Sequence, residues 1–194
     1  MAERQEAPGE LEQVRLFVNT VDLDRGINDP AMGPLVSSRQ LRIVEDYVRI
    51  ARSEGGSVVA GGSVADIAGL EDGFFYRPTL IADVSPTSRV AQEEIFGPVL
   101  SVIKADDEAE AVEIMDNTEF GLVASVWTSD VDKAMRVSKG IAHGQVYVNG
   151  YGAAGGVPLP FGGYKKSGFG REKGIAGVYA YTQLKTIVFS VSSR

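Results

Sequence analysis

The stretch "GPVLSVIKADDEAEAVEIMDNTEFGLVASVWTSD", residues 97–130, contains the pattern that decides the fold. Its two ends are apolar runs of strand length, rich in β-branched residues. Between them, Ala111, Val112 and Met115 recur at helical spacing, behind Asp106 or Asp107 as the residue that begins the helix. A strand, a helix and a second strand in this order predict a βαβ unit with parallel strands.

The same alternation extends to both sides of this unit. Upstream, Ser37 or Ser38 caps a predicted helix that ends at Gly55 and Gly56, and two strands follow it, in 57–62 and 78–84. The apolar face of that helix is formed by Leu41, Val44, Tyr47, Val48 and Ala51. Downstream, the pattern predicts a helix in 130–140, a strand in 144–150, a helix in 171–182 and a last strand in 185–191. Ser129 and Asp132 form a capping-box pattern at the first of these helices. We therefore expect an α/β fold with a mainly parallel sheet flanked by helices.

Three regions are expected along the chain. Residues 1–30 contain a short amphipathic helix, "GELEQVRLFVNTV", and a polar loop, and we expect them to be loosely attached. Residues 31–184 form the main domain. Residues 185–194 carry the final β-rich segment, "KTIVFSV", which is prone to pair with another strand.

Composition excludes several classes of function. The 194 residues carry a net charge of −7, which argues against binding to nucleic acid or to anionic membranes. No apolar run is long enough to span a bilayer, and the polar start resembles no targeting segment, so we expect a cytoplasmic protein. The absence of cysteine excludes disulfides, thiolate-metal sites and a cysteine nucleophile within these residues. The one histidine, His143, is expected to be a solvated loop residue.

A glycine-rich run, "PFGGYKKSGFGREKG" at residues 160–174, invites a reading as a phosphate-binding loop. Its lysines precede Ser167 without the glycine frame that a P-loop requires, and no buried strand leads into it. Glycines also permit positive φ and a close approach of backbone segments. We therefore expect this run to shape a loop.

Seven ordered motifs resemble those of the aldehyde dehydrogenase superfamily. They are "MGPLVS" (32–37), "PTL" (78–80), "EEIFGPV" (93–99), "NTEFGLVASVWTSD" (117–130), "VYVNG" (146–150), "PFGGYKKSGFGREKG" (160–174) and "YTQLKTI" (181–187). Their order and spacing match the C-terminal, catalytic-domain portion of that family, over roughly residues 30–194.

The resemblance implies roles for five residues. Glu94 is similar to the glutamate that accepts hydrogen bonds from the nicotinamide-ribose hydroxyls, and Phe96 to the aromatic residue beside the nicotinamide. Asn149, Tyr151 and Phe161 correspond to the substrate tunnel, with the glycine-rich run as its floor. Residues 151–159, small and uncharged, occupy the variable loop and favour an uncharged aldehyde.

The family's nucleophilic cysteine, its base glutamate and its dinucleotide-binding domain are expected upstream of "MGPL", beyond Met1. Two hypotheses stay open. The chain is either part of an NAD- or NADP-dependent aldehyde dehydrogenase, active only with an upstream-half polypeptide, or a non-catalytic assembly or binding module that keeps the fold. Alone, it is expected to bind the cofactor weakly or not at all. Homo-oligomers through the C-terminal strand are expected in either case.

Overall fold

The structure is a computed structural model, and it describes residues 33–151 and 158–190. The helix expected near the N-terminus, the loop residues 152–157 and the last four residues lie outside this part of the chain. The division at residues 30 and 184 therefore stays a prediction.

The first helix, α1 (Ser38–Ser53), has the predicted cap and the predicted buried face. The Ser37 hydroxyl accepts a hydrogen bond from the Gln40 amide at 3.2 Å, which satisfies one of the free donors at the helix start. Val44, Val48 and Ala51 are fully buried on one side. The helix ends before Gly55, whose φ of 93° lets the chain reverse towards the first strand.

Three strands pack against α1. They are β1 (Ser57–Ala60), β2 (Thr79–Ala82) and β3 (Val99–Ser101), with a short helix α2 (Arg89–Gln92) between the last two. The central strand β2 is antiparallel to β1 and parallel to β3. This sheet and the two helices enclose a core of Val44, Val48, Ala51, Tyr76, Ile81, Val84, Val90 and Ile95.

A second layer is built from the βα units of the opening stretch and its continuation. It contains α3 (Glu108–Asp116), β5 (Val123–Val126), α4 (Val131–Gly140) and β6 (Gln145–Val148). Strands β5 and β6 are parallel, with Val123 opposite Gln145. The core of this layer is formed by Met115, Ala124, Val126, Val137 and Ile141. Asp107 caps α3 by accepting from the Glu110 amide at 2.9 Å, as the sequence predicts.

The cap of α4 differs from the prediction. The sequence pattern indicates Ser129 with Asp132, whereas the structure has Asp130 as the N-cap, accepting from the Lys133 amide at 3.0 Å. The helix begins at Val131, so the carboxylate of Asp130 stands at the position that reaches the third amide of the helix.

Three short elements, α2, β4 and β7, escaped prediction, and one predicted helix is shorter than expected. β4 (Phe120–Gly121) pairs antiparallel with β7 (Tyr164–Lys165), which lies inside the glycine-rich run. The helix predicted in 171–182 is α5 (Gly174–Tyr179). None of the described helices is long and apolar enough to cross a membrane.

The expected single parallel sheet is divided in the described residues into three small sheets, only two of which contain parallel pairs. The predicted last strand is also absent from the part of 185–191 that the structure describes. Residues 185–190 form no regular element, and Ile187, Val188 and Phe189 are exposed. A lone extended segment gains little without a neighbouring edge, and no described strand pairs with it.

Candidate active site

Two adjacent glutamates follow α2, and their surroundings differ. Glu93 accepts two hydrogen bonds from the Arg89 guanidinium, both at 2.8 Å, and one from the Tyr47 hydroxyl at 2.7 Å. The bonds from Arg89, and secondly the bond from Tyr47, lower the pKa of Glu93 to about 2. Glu94 is exposed and makes no hydrogen bond or ion pair with any residue that the structure describes. Glu93 therefore fixes the turn, and the carboxylate of Glu94 has no partner among the described residues.

Phe96 is held in an unusual conformation at the same turn. Its φ is 57°, in the left-handed region that aromatic residues rarely adopt, and 73% of its surface is exposed. The Gln40 side-chain amide donates to the carbonyls of Ile95 and Phe96, at 2.9 and 3.1 Å. Ile95 is buried in the first core. The strained backbone and the exposed ring together are typical of a binding position.

Both Glu94 and Phe96 line a cleft of about 590 Å³. Its lining includes β3 with the turn that precedes it, β5, and residues of α2 and α3. Most of the lining is apolar: Val90, Ile95, Val99, Leu100, Ile103, Ile114, Met115, Val123 and Ala124. The structure thus places the two predicted cofactor-binding residues in the lining of one mainly apolar cleft.

His143 also lines this cleft, and it is not the solvated loop residue that the sequence predicts. Its side chain is only 10% exposed, and its Nδ1 lies 3.7 Å from Asp116 Oδ1. Burial is the main cause that lowers the pKa of His143, Asp116 opposes this, and Lys165 adds to it. Lys165 Nζ lies 3.5 Å from the same carboxylate oxygen. Asp116, His143 and Lys165 lie far apart in sequence, so their spacing did not indicate that they would come together.

Asn149 closes the carboxyl ends of β5 and β6. Its Oδ1 accepts from the Thr128 amide, and its Nδ2 donates to the Thr128 carbonyl, each at 2.9 Å. Its own backbone amide donates to Val126 at 2.8 Å, and its φ is 51°, which asparagine tolerates better than most residues. Within the described residues, the Asn149 amide is engaged in joining the strand ends.

Tyr151 and Phe161 are connected by a chain of contacts that runs along β6. The rings of Tyr147 and Tyr151 are 6.2 Å apart and tilted. The Tyr147 hydroxyl bonds to Gln145 at 2.9 Å, and Gln145 in turn donates to the Pro160 carbonyl at 3.0 Å. Phe161 follows Pro160 directly, with the Lys173 ammonium 5.3 Å from the centre of its ring. These residues form an aromatic region along β6, from Gln145 at its start to Tyr151 beyond its end.

The glycine-rich run shapes the loop beside this region. Phe161 pairs through two backbone hydrogen bonds with Glu172, at 2.7 and 2.8 Å, which closes residues 161–172 into a loop. The Arg171 guanidinium donates to the carbonyls of Gly163 and Gly170. A side chain at Gly144 would place its Cβ only 1.6 Å from the Gly162 carbonyl, so the loop crosses the start of β6 without intervening side chains. The basic groups of Arg171 and Lys173 are thus occupied in holding the loop and covering Phe161.

Comparison with known proteins identifies the family of this chain. The sequence model of the "Aldehyde dehydrogenase family" matches residues 10–187. This chain belongs to the aldehyde dehydrogenase family.

Betaine aldehyde dehydrogenase of Brucella melitensis is 44% identical to this aldehyde dehydrogenase chain over 156 residues, which are 80% of the chain and 32% of that protein. Among solved structures, betaine aldehyde dehydrogenase of Staphylococcus aureus in complex with NAD+ matches with a TM-score of 0.73 and 36% identity, over 76% of this chain and 29% of that one. Aldehyde dehydrogenase of Mycobacterium tuberculosis complexed with NAD+ matches with a TM-score of 0.73 and 43% identity, over 82% and 33%. The chain therefore spans about a third of the length of these relatives, and its α/β fold is that of the family.

Within this aldehyde dehydrogenase fold, the five predicted residues fall into two places. Glu94 and Phe96 line the cleft, whereas Asn149, Tyr151 and Phe161 stand at the end of β6 and in the loop beside it, outside the cleft lining. One bond links the two places, because the Ser125 hydroxyl of the cleft wall donates to the Gly150 carbonyl at 2.5 Å. No group of acidic residues and histidine in the described ranges is placed to hold a metal ion.

Proposed function

We propose that this chain forms part of the catalytic domain of an NAD(P)-dependent aldehyde dehydrogenase and works with residues outside it. Those residues carry the cysteine nucleophile, the base glutamate and the dinucleotide-binding domain that the family requires. The observation that supports the proposal best is the contrast between Glu93 and Glu94. A glutamate without a partner among the described residues, in the lining of an apolar cleft and near an exposed aromatic ring, is suited to a ligand.

Glu94 and Phe96 are proposed to hold the nicotinamide end of the cofactor. A carboxylate offers two acceptor oxygens and no competing donor, which suits the two neighbouring hydroxyls of a ribose. The exposed ring of Phe96 offers a flat apolar surface for the nicotinamide. NAD or NADP, when bound, accepts the hydride that leaves the aldehyde carbon. The chain's own contribution is to orient that cofactor and to exclude water from its reactive end.

The chain by itself is proposed to be inactive. It contains no cysteine, and serine or threonine is a weak nucleophile without an adjacent base. Its single histidine is directed at Asp116, and among the described residues it makes no hydrogen bond to a serine or threonine. The low pKa of His143 keeps the ring neutral at physiological pH, so it supplies no positive charge that would activate a hydroxyl.

Asn149, Tyr151 and Phe161 are proposed to belong to the substrate tunnel, and an uncharged aldehyde is the favoured substrate. Residues 151–159 offer no charged anchor for a carboxylate. Betaine aldehyde, the substrate in the names of the relatives, carries a quaternary ammonium. The Lys173 ammonium already lies over the Phe161 ring and would repel a second cation there.

The test is NADH formation from a panel of uncharged aldehydes and betaine aldehyde. The chain is assayed alone and after co-expression with the two-thirds of the Mycobacterium tuberculosis aldehyde dehydrogenase that it does not cover. We expect no turnover by the chain alone and turnover by the pair. Turnover by the lone chain would show that another group replaces the cysteine. A folded pair with no turnover on any aldehyde would favour the role of assembly module instead.

A further inference from the structure

Asp116, the last residue of α3, connects three segments of the chain. Its Oδ1 accepts from the Ala142 amide at 2.9 Å, and its carbonyl accepts from Lys165 Nζ, also at 2.9 Å. Lys165 belongs to β7, inside the glycine-rich run, and its Nζ lies 3.5 Å from Asp116 Oδ1. A cation is favourable at the C-terminus of a helix, where carbonyls lack partners within the helix. Asp116 therefore joins the glycine-rich run to the end of α3.

The strand β7 is too short to hold its position through its ladder alone. It pairs two residues with β4. The φ of Lys165 is 54°, in the left-handed region that residues other than glycine rarely adopt. Such a conformation persists only where the surrounding structure holds it. A change at Asp116 should therefore reach the glycine-rich run through Lys165.

His143 approaches the same carboxylate without bonding to it. Its Nδ1 is 3.7 Å from Asp116 Oδ1, beyond hydrogen-bond distance, and it is buried with no partner among the described residues. When Nδ1 carries only a lone pair, both atoms are acceptors and no bond can form. A proton on Nδ1 turns the same contact into a donor that faces a carboxylate. The unpartnered nitrogen thus indicates a ring with two states.

The charges around the His143 ring oppose one another. Burial and Lys165 disfavour the imidazolium, whereas Asp116 favours it. The side chains of Asp116 and Lys165 are only 29% and 27% exposed, so solvent screens their charges incompletely. Glu93 and Glu94 are the other charged residues in the described lining of the cleft that contains His143. The carboxylate that stabilises a protonated ring is therefore the one that holds Lys165.

We propose that Asp116 is a positioning residue that holds the glycine-rich run against α3, and that protonated His143 competes with Lys165 for its carboxylate, so that acid loosens the run. With a neutral ring, Lys165 alone of these two faces the carboxylate as a cation. With an imidazolium, two cations that repel each other share it, and Lys165 is the more exposed of them. The consequence for substrate binding rests on the proposed function, in which this run is the floor of the tunnel.

The single histidine makes the ring directly observable by NMR in the chain alone. Titration of its Cε1 proton signal gives the pH midpoint of His143. We expect Asp116→Asn to lower this midpoint and Lys165→Gln to raise it, because the first removes a favourable charge and the second an unfavourable one. Lys166→Gln is the matched control. This neighbouring lysine pairs with Glu119 and should leave the midpoint unchanged.

The response of the run is measured by hydrogen exchange at the Lys166 amide, which donates to the Glu119 carbonyl at 2.8 Å. After correction for the intrinsic pH dependence of exchange, its protection should fall roughly tenfold between pH 7.5 and 5.5, the factor that corresponds to one pH unit of linkage. In His143→Gln, we expect the protection to stay high at both pH values. In Asp116→Asn, it should be low at both, because the carboxylate that faces Lys165 is gone.

A midpoint that neither Asp116→Asn nor Lys165→Gln moves overturns the proposal. So does a midpoint that Lys166→Gln moves as far as Lys165→Gln does. Protection that falls equally in the wild type and in His143→Gln also overturns it, because acid would then act at another group. If Asp116→Asn does not fold, the two lysine variants still decide between these outcomes.

The complemented enzyme tests the link to substrate binding. The KM for an uncharged aldehyde should rise between pH 7.5 and 5.5 by about the factor by which the protection falls. The rise should be absent in His143→Gln, and an equal rise in both forms would overturn the positioning role. The NMR measurements need no turnover. A pair that turns over no aldehyde would therefore count against the proposed function, while the NMR result would still uphold or overturn the competition at Asp116.

Discussion

Glu93 and Glu94 are neighbours in sequence, and at the residue scale we propose separate tasks for them. The sequence carries the signal for both, because the "EEIFGP" motif marks a turn before a strand. It does not show which carboxylate is engaged, since Arg89 and Tyr47 reach Glu93 from two different helices. The same holds for His143, which lies beside Asp116 of an earlier helix, and Asp116 in turn lies beside Lys165 of a later strand. The sequence therefore indicates which residues to consider, and it does not indicate which residues they contact.

Exchanging each glutamate for glutamine should separate the two tasks. In the complemented enzyme, Glu94→Gln is expected to raise the KM for NAD+ by roughly tenfold to a hundredfold, since hydrogen bonds to a charged group contribute about 1.5–3 kcal/mol. Its melting temperature should equal that of the wild type, because Glu94 has no partner among the described residues. An unchanged KM would remove the assigned role.

Glu93→Gln should instead affect stability, and only above acid pH. The pKa of Glu93 falls from 4.5 to about 2 on folding, so its stabilising contribution is present above pH 4.5 and is lost as the pH falls through 2. At pH 7 we expect only a small decrease in melting temperature, because the pair with Arg89 is exposed. The difference in melting temperature between the variant and the wild type should disappear as the pH approaches 2. Thermal melts over this range test it, with Glu94→Gln as the matched control.

The histidine gives a pH dependence of its own. Burial lowers the pKa of His143 below its ordinary value of 6.5, so the unfolded chain binds the proton more readily. The free energy of unfolding should therefore fall as the pH is lowered below 6.5. Carboxylates with ordinary pKa values stay ionised between pH 7.5 and 5.5. Since the chain has one histidine, His143→Gln should therefore abolish the slope in this range. Urea titrations at each pH measure it, and an unchanged slope would contradict the assignment.

At the scale of elements, the helices were the most predictable parts. Their caps and apolar spacing are local, and α1 and α3 begin where the sequence indicates. The short β4 and β7 were missed because each has only two residues, and their pairing joins segments more than forty positions apart. The cap of α4 was displaced by one residue, because two neighbouring polar residues offered similar signals.

The cap of α1 provides a test with a matched control. Ser37→Ala removes the acceptor for the Gln40 amide and should lower the free energy of unfolding by about 1 kcal/mol. Ser38→Ala, one position later and exposed, should change it little, since alanine is favourable within a helix. Urea denaturation of both variants measures the difference. Equal effects would contradict the assignment of Ser37 as the cap.

At the scale of the whole molecule, the sequence pattern indicates an α/β fold and the motifs indicate the family. The pattern did not predict that the sheet is divided into smaller ones, because strand order depends on contacts between distant segments. The candidate site was inferred from residue types and positions, and the roles of its residues stay a prediction. Its division into a cleft and a separate aromatic region follows from packing, which a linear pattern does not encode.

The C-terminal segment is the part of the chain through which we expect two copies to associate. Ile187, Val188 and Phe189 are all more than 60% exposed, and we propose that residues 185–194 pair with a second copy as an added strand. Light scattering should show association that grows with concentration. Deleting residues 185–194 should decrease it, and Phe189→Glu should do the same while keeping the length. A chain that stays monomeric at high concentration would contradict this.

The bond pair between Asn149 and Thr128 has a practical consequence for engineering. It ties the ends of β5 and β6 just before residue 150, through bonds that do not involve the segment that follows. Loops of other lengths grafted between Gly150 and Pro160 should therefore alter which aldehydes are accepted and leave strand register intact. Residue 150 is thus a natural splice point for changing specificity.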